Sequence, residues 1–176
     1  MMRLTDFGTR RVTVIVALIL SILLTLAFIF GNSMRSKEES SDQSGAVVEV
    51  VKPIVDPNDE IPREDFEFSV RKLAHFSEFC LLGLELSLLA VYIFGGLDPR
   101  NAVCAAFVGL CCANADELLQ KFYDRGSEVS DVFIDFGGVI LGVLLGYALV
   151  LTAMAAKKRK KKKTEARESA DCVAEQ

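Results

Sequence analysis

The sequence alternates long apolar segments with shorter polar ones. The first apolar block, residues 12–30, is nineteen residues without a charge, about the length needed to cross a hydrocarbon core of ~30 Å. Three more blocks of spanning length follow at 73–94, 102–122 and 132–156, each of which carries charges. This pattern predicts an all-α, polytopic membrane protein that folds as a four-helix transmembrane bundle.

A secretory signal peptide is the competing interpretation of the first block, since Gly31-Asn32-Ser33 has the form of a cleavage site. The apolar part of a signal peptide usually has about 7–15 residues. Because residues 12–30 exceed that length, we expect an uncleaved helix.

The connection at 31–70 is polar and acidic, with ten acids, four bases and three prolines. Its first half, 32–45, has the composition of a disordered or weakly ordered segment, and the short apolar run at 46–51 is suited to the membrane surface. Pro62, followed by acidic residues, predicts a helix start that leads into the second span. In the 94–101 turn, Asn101 is the expected N-cap of the third span.

The distribution of Lys and Arg predicts the orientation, because cytoplasmic loops are enriched in these residues. Arg3, Arg10 and Arg11 precede the first span, and seven consecutive bases at 157–163 follow the last. We therefore expect both termini in the cytoplasm and the 31–70 loop outside. The predicted organisation is a cytoplasmic N-terminus (1–11), a four-span membrane domain (12–156) and a cytoplasmic basic tail (157–176).

The cysteines, the basic run and the motifs present in the chain limit the kinds of site it can contain. The five cysteines do not suggest a disulfide framework, and those in the apolar segments are expected to be small buried hydrophobes. The basic run at 157–163 is expected to contact anionic lipid rather than nucleic acid. No phosphate-binding glycine loop, GxSxG, HExxH or CxxC motif occurs in the chain.

Polar residues concentrate between the third and fourth spans, at 114–138, and on one face of the second span. An ionisable group within a bilayer costs roughly 2.5–3.5 kcal/mol and usually faces a bundle interior or water. On the second span Arg71, His75, Glu78, Leu82 and Glu85 share one helical face, and Glu85 lies deepest. The candidate ligand-binding residues are Arg71, His75, Glu78, Asp116, Glu117, Gln120, Arg125, Asp131 and Asp135.

The small residues Gly138, Gly142 and Gly146 follow Asp135 at four-residue spacing. Such a run lets helix backbones approach closely. It predicts a packed helix interface toward which Asp135 points.

The roles of these residues leave alternatives open. The expectation is no metal and no cofactor: a single histidine in the chain argues against structural zinc, although Asp116, Glu117, Asp131 or Asp135 could bind Mg²⁺ or Ca²⁺. Arg125 could bind an anionic head group or pair with Asp131 or Glu117. No catalytic residue is assigned; the candidates are His75, Glu78 and Glu117.

The residues Arg71-Lys72-Leu73-Ala74-His75-Phe76-Ser77-Glu78-Phe79 and Asp116-Glu117-Leu118-Leu119-Gln120, on successive spans, resemble the VanZ-like family of bacterial membrane proteins. Arg125, Asp131, Asp135 and the Asn32-Ser33 step after the first span extend the resemblance over about 12–150. The loop before Arg125 differs, with Tyr123-Asp124 where the family often has Pro-Gly. The resemblance implies a multi-pass protein of the bacterial plasma membrane, and the family is named for low-level resistance to teicoplanin.

Three hypotheses for function follow. An outward-facing polar pocket could bind a lipid, a cell-wall intermediate or a lipoglycopeptide without consuming it, and this is the favoured one. Alternatively, the protein could be a membrane hydrolase or transferase acting on a phosphate- or sugar-bearing lipid, with His75 as acid or base and Glu78 orienting it. In the third hypothesis, the polar groups only hold the helices together. The sequence indicates no oligomeric state.

Overall fold

The computed structural model describes residues 4–123 and 129–174, with side chains described from residue 10 to residue 165 except at Lys37 and in the gap. No strand occurs in these ranges, so the all-α prediction is confirmed. The five helices are α1 (Leu4–Ser33), α2 (Lys37–Val55), α3 (Arg63–Phe94), α4 (Pro99–Phe122) and α5 (Val129–Ala174).

Four of these helices, α1, α3, α4 and α5, are long and apolar enough to cross a membrane. They contain the four predicted spans, which confirms the four-helix bundle. The outer surface is apolar: Leu24, Phe107 and Leu144 are each more than 60% exposed. Carboxylates such as Asp116 and Asp135 are buried instead, the arrangement expected when lipid rather than water surrounds the bundle.

Residues 37–45 of the segment expected to be disordered or weakly ordered form the first half of the helix α2, so that expectation is wrong. Its start is a capping box: the Glu39 N–H donates to Ser36 Oγ at 3.2 Å, and the Ser36 N–H donates to Glu39 Oε2 at 3.1 Å. The helix packs on α3, where Ser41 and Ser44 each donate to Glu67 Oε1 at 2.8 Å. Acidic composition suggested disorder, but local capping and contacts with α3 order the segment.

The α2–α3 connection is organised by Asp56. Its carboxylate accepts hydrogen bonds from the Glu60 and Ile61 N–H groups, both at 2.9 Å. These bonds, that from Ile61 first, lower the pKa of Asp56 from its ordinary value. The helix α3 then begins at Arg63, directly after Pro62, as predicted.

The N-cap of α4 is Asp98, not Asn101 as expected. Asp98 Oδ1 accepts from the Arg100 N–H at 2.9 Å, and Pro99 occupies the first helical position, where its missing N–H costs nothing. Asn101 lies inside the helix and donates from Nδ2 to the Gly96 carbonyl at 3.1 Å.

The most extensive interface joins α3 to α5 and depends on small residues. A Cβ atom on Gly138 or Gly142 would collide with the α3 backbone, at the carbonyl oxygens of Phe76 and Cys80 respectively. A Cβ on Gly146 would collide with Ser87 Oγ. The predicted glycine run therefore lies against α3.

The two ends of the bundle differ in the polar side chains that they contain. At one end, the Arg11 guanidinium donates to the backbone carbonyls of Tyr92 and Ile93, at the C-terminus of α3. The other end, which we call the α2 end, comprises α2, the C-termini of α1 and α4 and the N-termini of α3 and α5. Buried polar side chains such as Ser33, Asp116 and Asp135 lie toward the α2 end.

The cysteines depart from expectation. Cys104 and Cys111 are exposed on the apolar surface of α4, whereas Cys80 and Cys112 are partly buried. The expectation that they would all be buried is therefore wrong, because a lipid-facing surface accepts a small apolar side chain as readily as a core does.

Candidate functional site

Buried polar side chains from α1, α4 and α5 gather at the α2 end. Burying a polar side chain costs free energy unless it forms a hydrogen bond or an ion pair. The hydrogen-bond and ion-pair partners of these residues therefore show which helices the site connects. Those with at most 9% exposure are Ser33, Asp116, Glu117, Gln120, Asp131 and Asp135.

Asp116 lies at the centre of this arrangement and is fully buried. Its Oδ1 accepts a hydrogen bond from Ser33 Oγ at 2.6 Å, and its Oδ2 accepts one from Gln120 Nε2 at 2.8 Å. Asp116 Oδ2 also lies 3.8 Å from His75 Nδ1. The carboxylate is thus oriented by three helices, α1, α3 and its own α4.

Asp135 joins this pair from α5. One ligand-type atom from each of His75, Asp116 and Asp135 lies within 4.8 Å of those of the other two. Asp135 is 2% exposed, and its Oδ2 has no hydrogen-bond partner within the described residues. The predicted site residues His75, Asp116 and Asp135, from three different helices, therefore form one cluster.

Asp131 lies one helical turn before Asp135 and forms an ion pair with Lys72 of α3. Lys72 was absent from the candidate set, because its own helical position lies beside the polar face rather than on it. The ammonium group is also 4.8 Å from the centre of the Phe68 ring. Arg125, the other cation considered for Asp131, lies outside the described residues.

Two glutamates on α3 take partners from α1. Glu78 Oε1 accepts a hydrogen bond from Asn32 Nδ2 at 3.2 Å, and Glu85 Oε1 accepts one from Ser21 Oγ at 2.5 Å. The sequence placed Glu85 deepest on the polar face of the second span but did not identify Ser21 as its partner. A lone serine in an apolar block hardly changes its hydropathy, so the signal was weak.

A cavity of about 240 Å³ opens at the α2 end between α1, α2 and α3. We call it the α2 pocket. Its polar lining includes Asn32, Arg71, His75 and Glu78, and its apolar lining includes Phe28, Val47 and Val70. Arg71 is partly engaged, since its Nη1 lies 3.3 Å from Glu67 Oε1.

Glu117 lines a different cavity. A groove of about 560 Å³ between α4 and α5 is bordered by Glu117, Lys121 and Phe133. Of the candidate residues, the structure therefore places Arg71, His75 and Glu78 in the α2 pocket, and Glu117 in this groove. His75 belongs both to the pocket and to the buried cluster with Asp116 and Asp135.

The arrangement has two chemical capabilities. The α2 pocket combines the Arg71 guanidinium, the His75 imidazole and amide groups with an apolar wall, and Glu78 adds one carboxylate. The guanidinium and the apolar wall suit an amphiphile with an anionic part. The His75–Asp116 pair places a carboxylate oxygen 3.8 Å from an imidazole nitrogen. This distance exceeds that of a hydrogen bond, so the side chains must approach by several tenths of an ångström before Asp116 orients the histidine for proton transfer.

The pattern of these residues is matched by a known protein family. The model of the VanZ/LLP1 family matches residues 17–151, which is most of the chain. The chain belongs to this family. The match confirms the resemblance. Family membership and the four apolar helices together indicate that this VanZ-family protein is a membrane protein. Neither the curated proteins nor the solved structures gave a match.

The matched VanZ region runs from within α1 into α5. It therefore includes α2, both cavities and the His75–Asp116–Asp135 cluster. The sequence did not identify four partner residues there, Ser21, Asn32, Ser33 and Lys72. Asn32, Ser33 and Lys72 carried a signal, since they belong to the segments by which the chain resembled the family, whereas Ser21 carried none.

Proposed function

We propose that this VanZ-family protein is a multi-pass protein of the bacterial plasma membrane, with both termini in the cytoplasm and the α2 end outside. The charge distribution supports this orientation. Arg11 and Arg100 lie at the end opposite α2, and the exposed bases at 157–163 continue α5 beyond the bundle at that end. Basic residues concentrate on the cytoplasmic side of membrane proteins.

The proposed function is to bind an anionic amphiphile in the α2 pocket and thereby to change tolerance of the cell envelope to lipoglycopeptides such as teicoplanin. The ligand is a lipid head group, a lipid-linked cell-wall intermediate or the antibiotic itself. The observation that carries the proposal is the composition of the pocket: Arg71 and His75 stand beside Phe28 and Val47. Such a lining matches a ligand with an acidic group and an acyl chain.

The geometry of Arg71 supports this role. A guanidinium has five N–H donors, and the described ion pair with Glu67 occupies one nitrogen. Its side chain is 33% exposed, so the remaining donors are accessible to a phosphate or carboxylate. A bidentate contact of this type is among the stronger hydrogen-bond arrangements in proteins.

The proposal is tested by expressing the wild type and variants in a susceptible Gram-positive host. Inhibitory concentrations of teicoplanin and vancomycin are measured together with the protein level in the membrane. We expect the wild type to raise teicoplanin tolerance, and Arg71→Gln and His75→Gln, which change side chains of the α2 pocket, to lose it at unchanged abundance.

Arg63→Gln is the matched control. It removes an arginine from the same helix that pairs with Glu49 at 3.6 Å and does not line the α2 pocket. Tolerance should persist in this variant. Loss of tolerance in all variants alike, in proportion to lower abundance, would instead support a purely structural role for the polar residues.

A second candidate function is favoured by the His75–Asp116 distance of 3.8 Å. The protein would be a membrane-embedded hydrolase or transferase acting on a phosphate- or sugar-bearing lipid. His75 would be the acid or base and Asp116, rather than the Glu78 favoured by the sequence, would orient it. Release of phosphate or sugar from lipid by the purified wild type, but not by His75→Gln, would favour this function over binding alone.

The basic run at 157–163 is proposed to bind anionic lipid on the cytoplasmic side. The seven side chains are all exposed along a continuous helix. Each such charge near an anionic surface contributes about 1 kcal/mol, so the run would hold the end of α5 at the membrane.

A further inference from the structure

We propose that His75, Asp116 and Asp135 together bind one divalent metal ion at the α2 end of the bundle. The sequence expectation was that no metal is bound, partly because the chain has one histidine. The structure places that histidine with two carboxylates from other helices, all within 4.8 Å. One imidazole and two carboxylates form a complete donor set for a metal ion with an open coordination position.

The distances are close to those of a bound site. Two ligand atoms at ~2.0–2.2 Å from one metal ion lie at most about 4.4 Å apart. The atoms of the cluster lie within 4.8 Å of one another. Small side-chain rotations therefore bring them onto a common ion, and no helix needs to move.

The burial of Asp135 supports a metal site independently of these distances. Its side chain is 2% exposed, and Oδ2 has no hydrogen-bond partner in the part of the chain that the structure describes. A buried carboxylate is normally neutralised and fully bonded. A divalent cation would balance Asp116 and Asp135, so that with a neutral imidazole the site carries no net charge.

The surroundings of Asp116 match those of a metal ligand. Ligating carboxylates usually accept hydrogen bonds from neighbouring residues, which fix their orientation. Ser33 and Gln120 donate to the two oxygens of Asp116 at 2.6 and 2.8 Å. Each oxygen retains a second lone pair for coordination.

Access to the cluster runs through the α2 pocket. His75 lines that pocket and is also part of the cluster, so the imidazole is the ligand that an ion in the pocket would meet first, whereas Asp116 and Asp135 are buried. Mixed nitrogen and oxygen donors favour Zn²⁺, Mn²⁺ or a similar first-row ion over Ca²⁺. The open position would accept water or a phosphate oxygen.

The test is metal binding by the full chain in detergent micelles after removal of metals with EDTA. Mn²⁺ and Zn²⁺ are titrated by calorimetry, with Mg²⁺ for comparison. The expected result is saturable binding of one ion per chain, weakened roughly tenfold or more in His75→Gln and Asp135→Asn. Glu85→Gln is the matched control: it removes a buried carboxylate of α3 that lies outside the cluster, and its affinity should equal that of the wild type.

Binding of Co²⁺ to the wild type gives a measurement that needs no variant. Its visible absorption spectrum should show mixed nitrogen and oxygen coordination and should disappear when Zn²⁺ is added. Absence of saturable binding by the wild type, or equal affinity in Asp135→Asn, would overturn the proposal and leave a shared proton to neutralise the carboxylates. These measurements do not use antibiotic tolerance, so this proposal and the proposed function can fail separately.

Discussion

Ser33 Oγ donates a hydrogen bond to Asp116 Oδ1 at 2.6 Å, and both side chains are fully buried. This contact joins the end of α1 to Asp116 of α4, the central residue of the cluster with His75 and Asp135. It shows that the polar step after the first span belongs to the site rather than to a loop.

Ser33→Ala is predicted to lower the free energy of unfolding by about 1–3 kcal/mol, because it removes a donor from a buried carboxylate. Unfolding of the purified protein by denaturant in micelles measures the effect. Ser77→Ala is the control, since Ser77 is exposed and donates only to the Leu73 carbonyl of its own helix at 2.7 Å. Equal stability of the two variants would show that Ser33 contributes little to Asp116.

Gly142→Ala is predicted to destabilise the protein by about 1–3 kcal/mol. A Cβ at this position would collide with the Cys80 carbonyl oxygen, and backbone cannot move aside as a flexible side chain can. Gly137→Ala on the same helix is the control, because its Cβ would make an ordinary contact of 3.6 Å with Phe76 Cε2. Thermal unfolding should separate the two variants, and similar melting temperatures would argue against close α3–α5 packing.

The α2–α3 connection is predicted to loosen in acid through Asp56. Hydrogen bonds from Ile61 and Glu60 lower the pKa of Asp56 below its ordinary value of 3.8. The stabilisation is therefore fully present above about pH 4 and is lost as the pH falls through the folded-state pKa. Hydrogen exchange of the 56–61 segment, expressed as protection factors, should show this loss in the wild type.

Asp56→Asn should give low protection at every pH, because it removes the charged acceptor. Asp59→Asn should keep the pH dependence of the wild type, and asparagine tolerates the positive φ of 55° at that position. Protection in the wild type that is constant from about pH 5 to about pH 2 would contradict the assignment to Asp56.

Glu67→Ala is predicted to release α2 from α3. Glu67 accepts from Ser41 and Ser44 at 2.8 Å and pairs with Arg71. Its removal leaves the docking of α2 to the exposed Arg63–Glu49 pair and to apolar contacts such as those of Val48. Cleavage after Glu49, whose side chain is 71% exposed on α2, by a glutamyl endopeptidase in micelles should be several-fold faster than in the wild type. Glu64→Ala, at an exposed position on the same helix, should cleave at the wild-type rate.

The sequence predicted the elements that depend on local patterns. Continuous apolar blocks define the four spans because each must cover the hydrocarbon core, and Pro62 with its following acids marks the start of α3. The segment of α2 was misjudged from its composition. Its Ser36–Glu39 capping box was visible as S-x-x-E, and the docking contacts with Glu67 depend on the tertiary structure.

Pairings between helices were harder to predict. The polar face of α3 was evident from spacing, yet which carboxylate approaches His75 depends on the rotation and crossing of α4 relative to α3. Asp116 therefore could not be distinguished from Glu117, although Asp116 lies in the buried cluster with His75 and Glu117 lines the groove between α4 and α5. Ser21 was missed because one serine hardly changes the hydropathy of an apolar block, and Lys72 was missed because it lies beside the polar face of α3 rather than on it.

The most direct test of the account is labelling of cysteines placed on α2, in intact cells, with a membrane-impermeant maleimide. Val47→Cys lies in the α2 pocket, and Val50→Cys, at a position 68% exposed on the same helix, does not. Labelling is read at each peptide by mass spectrometry, with and without saturating teicoplanin. We predict that both positions react from outside and that teicoplanin slows the reaction at position 47 alone. Absence of labelling at both positions in intact cells would contradict the orientation, and equal rates with and without teicoplanin would contradict binding of that ligand in the pocket.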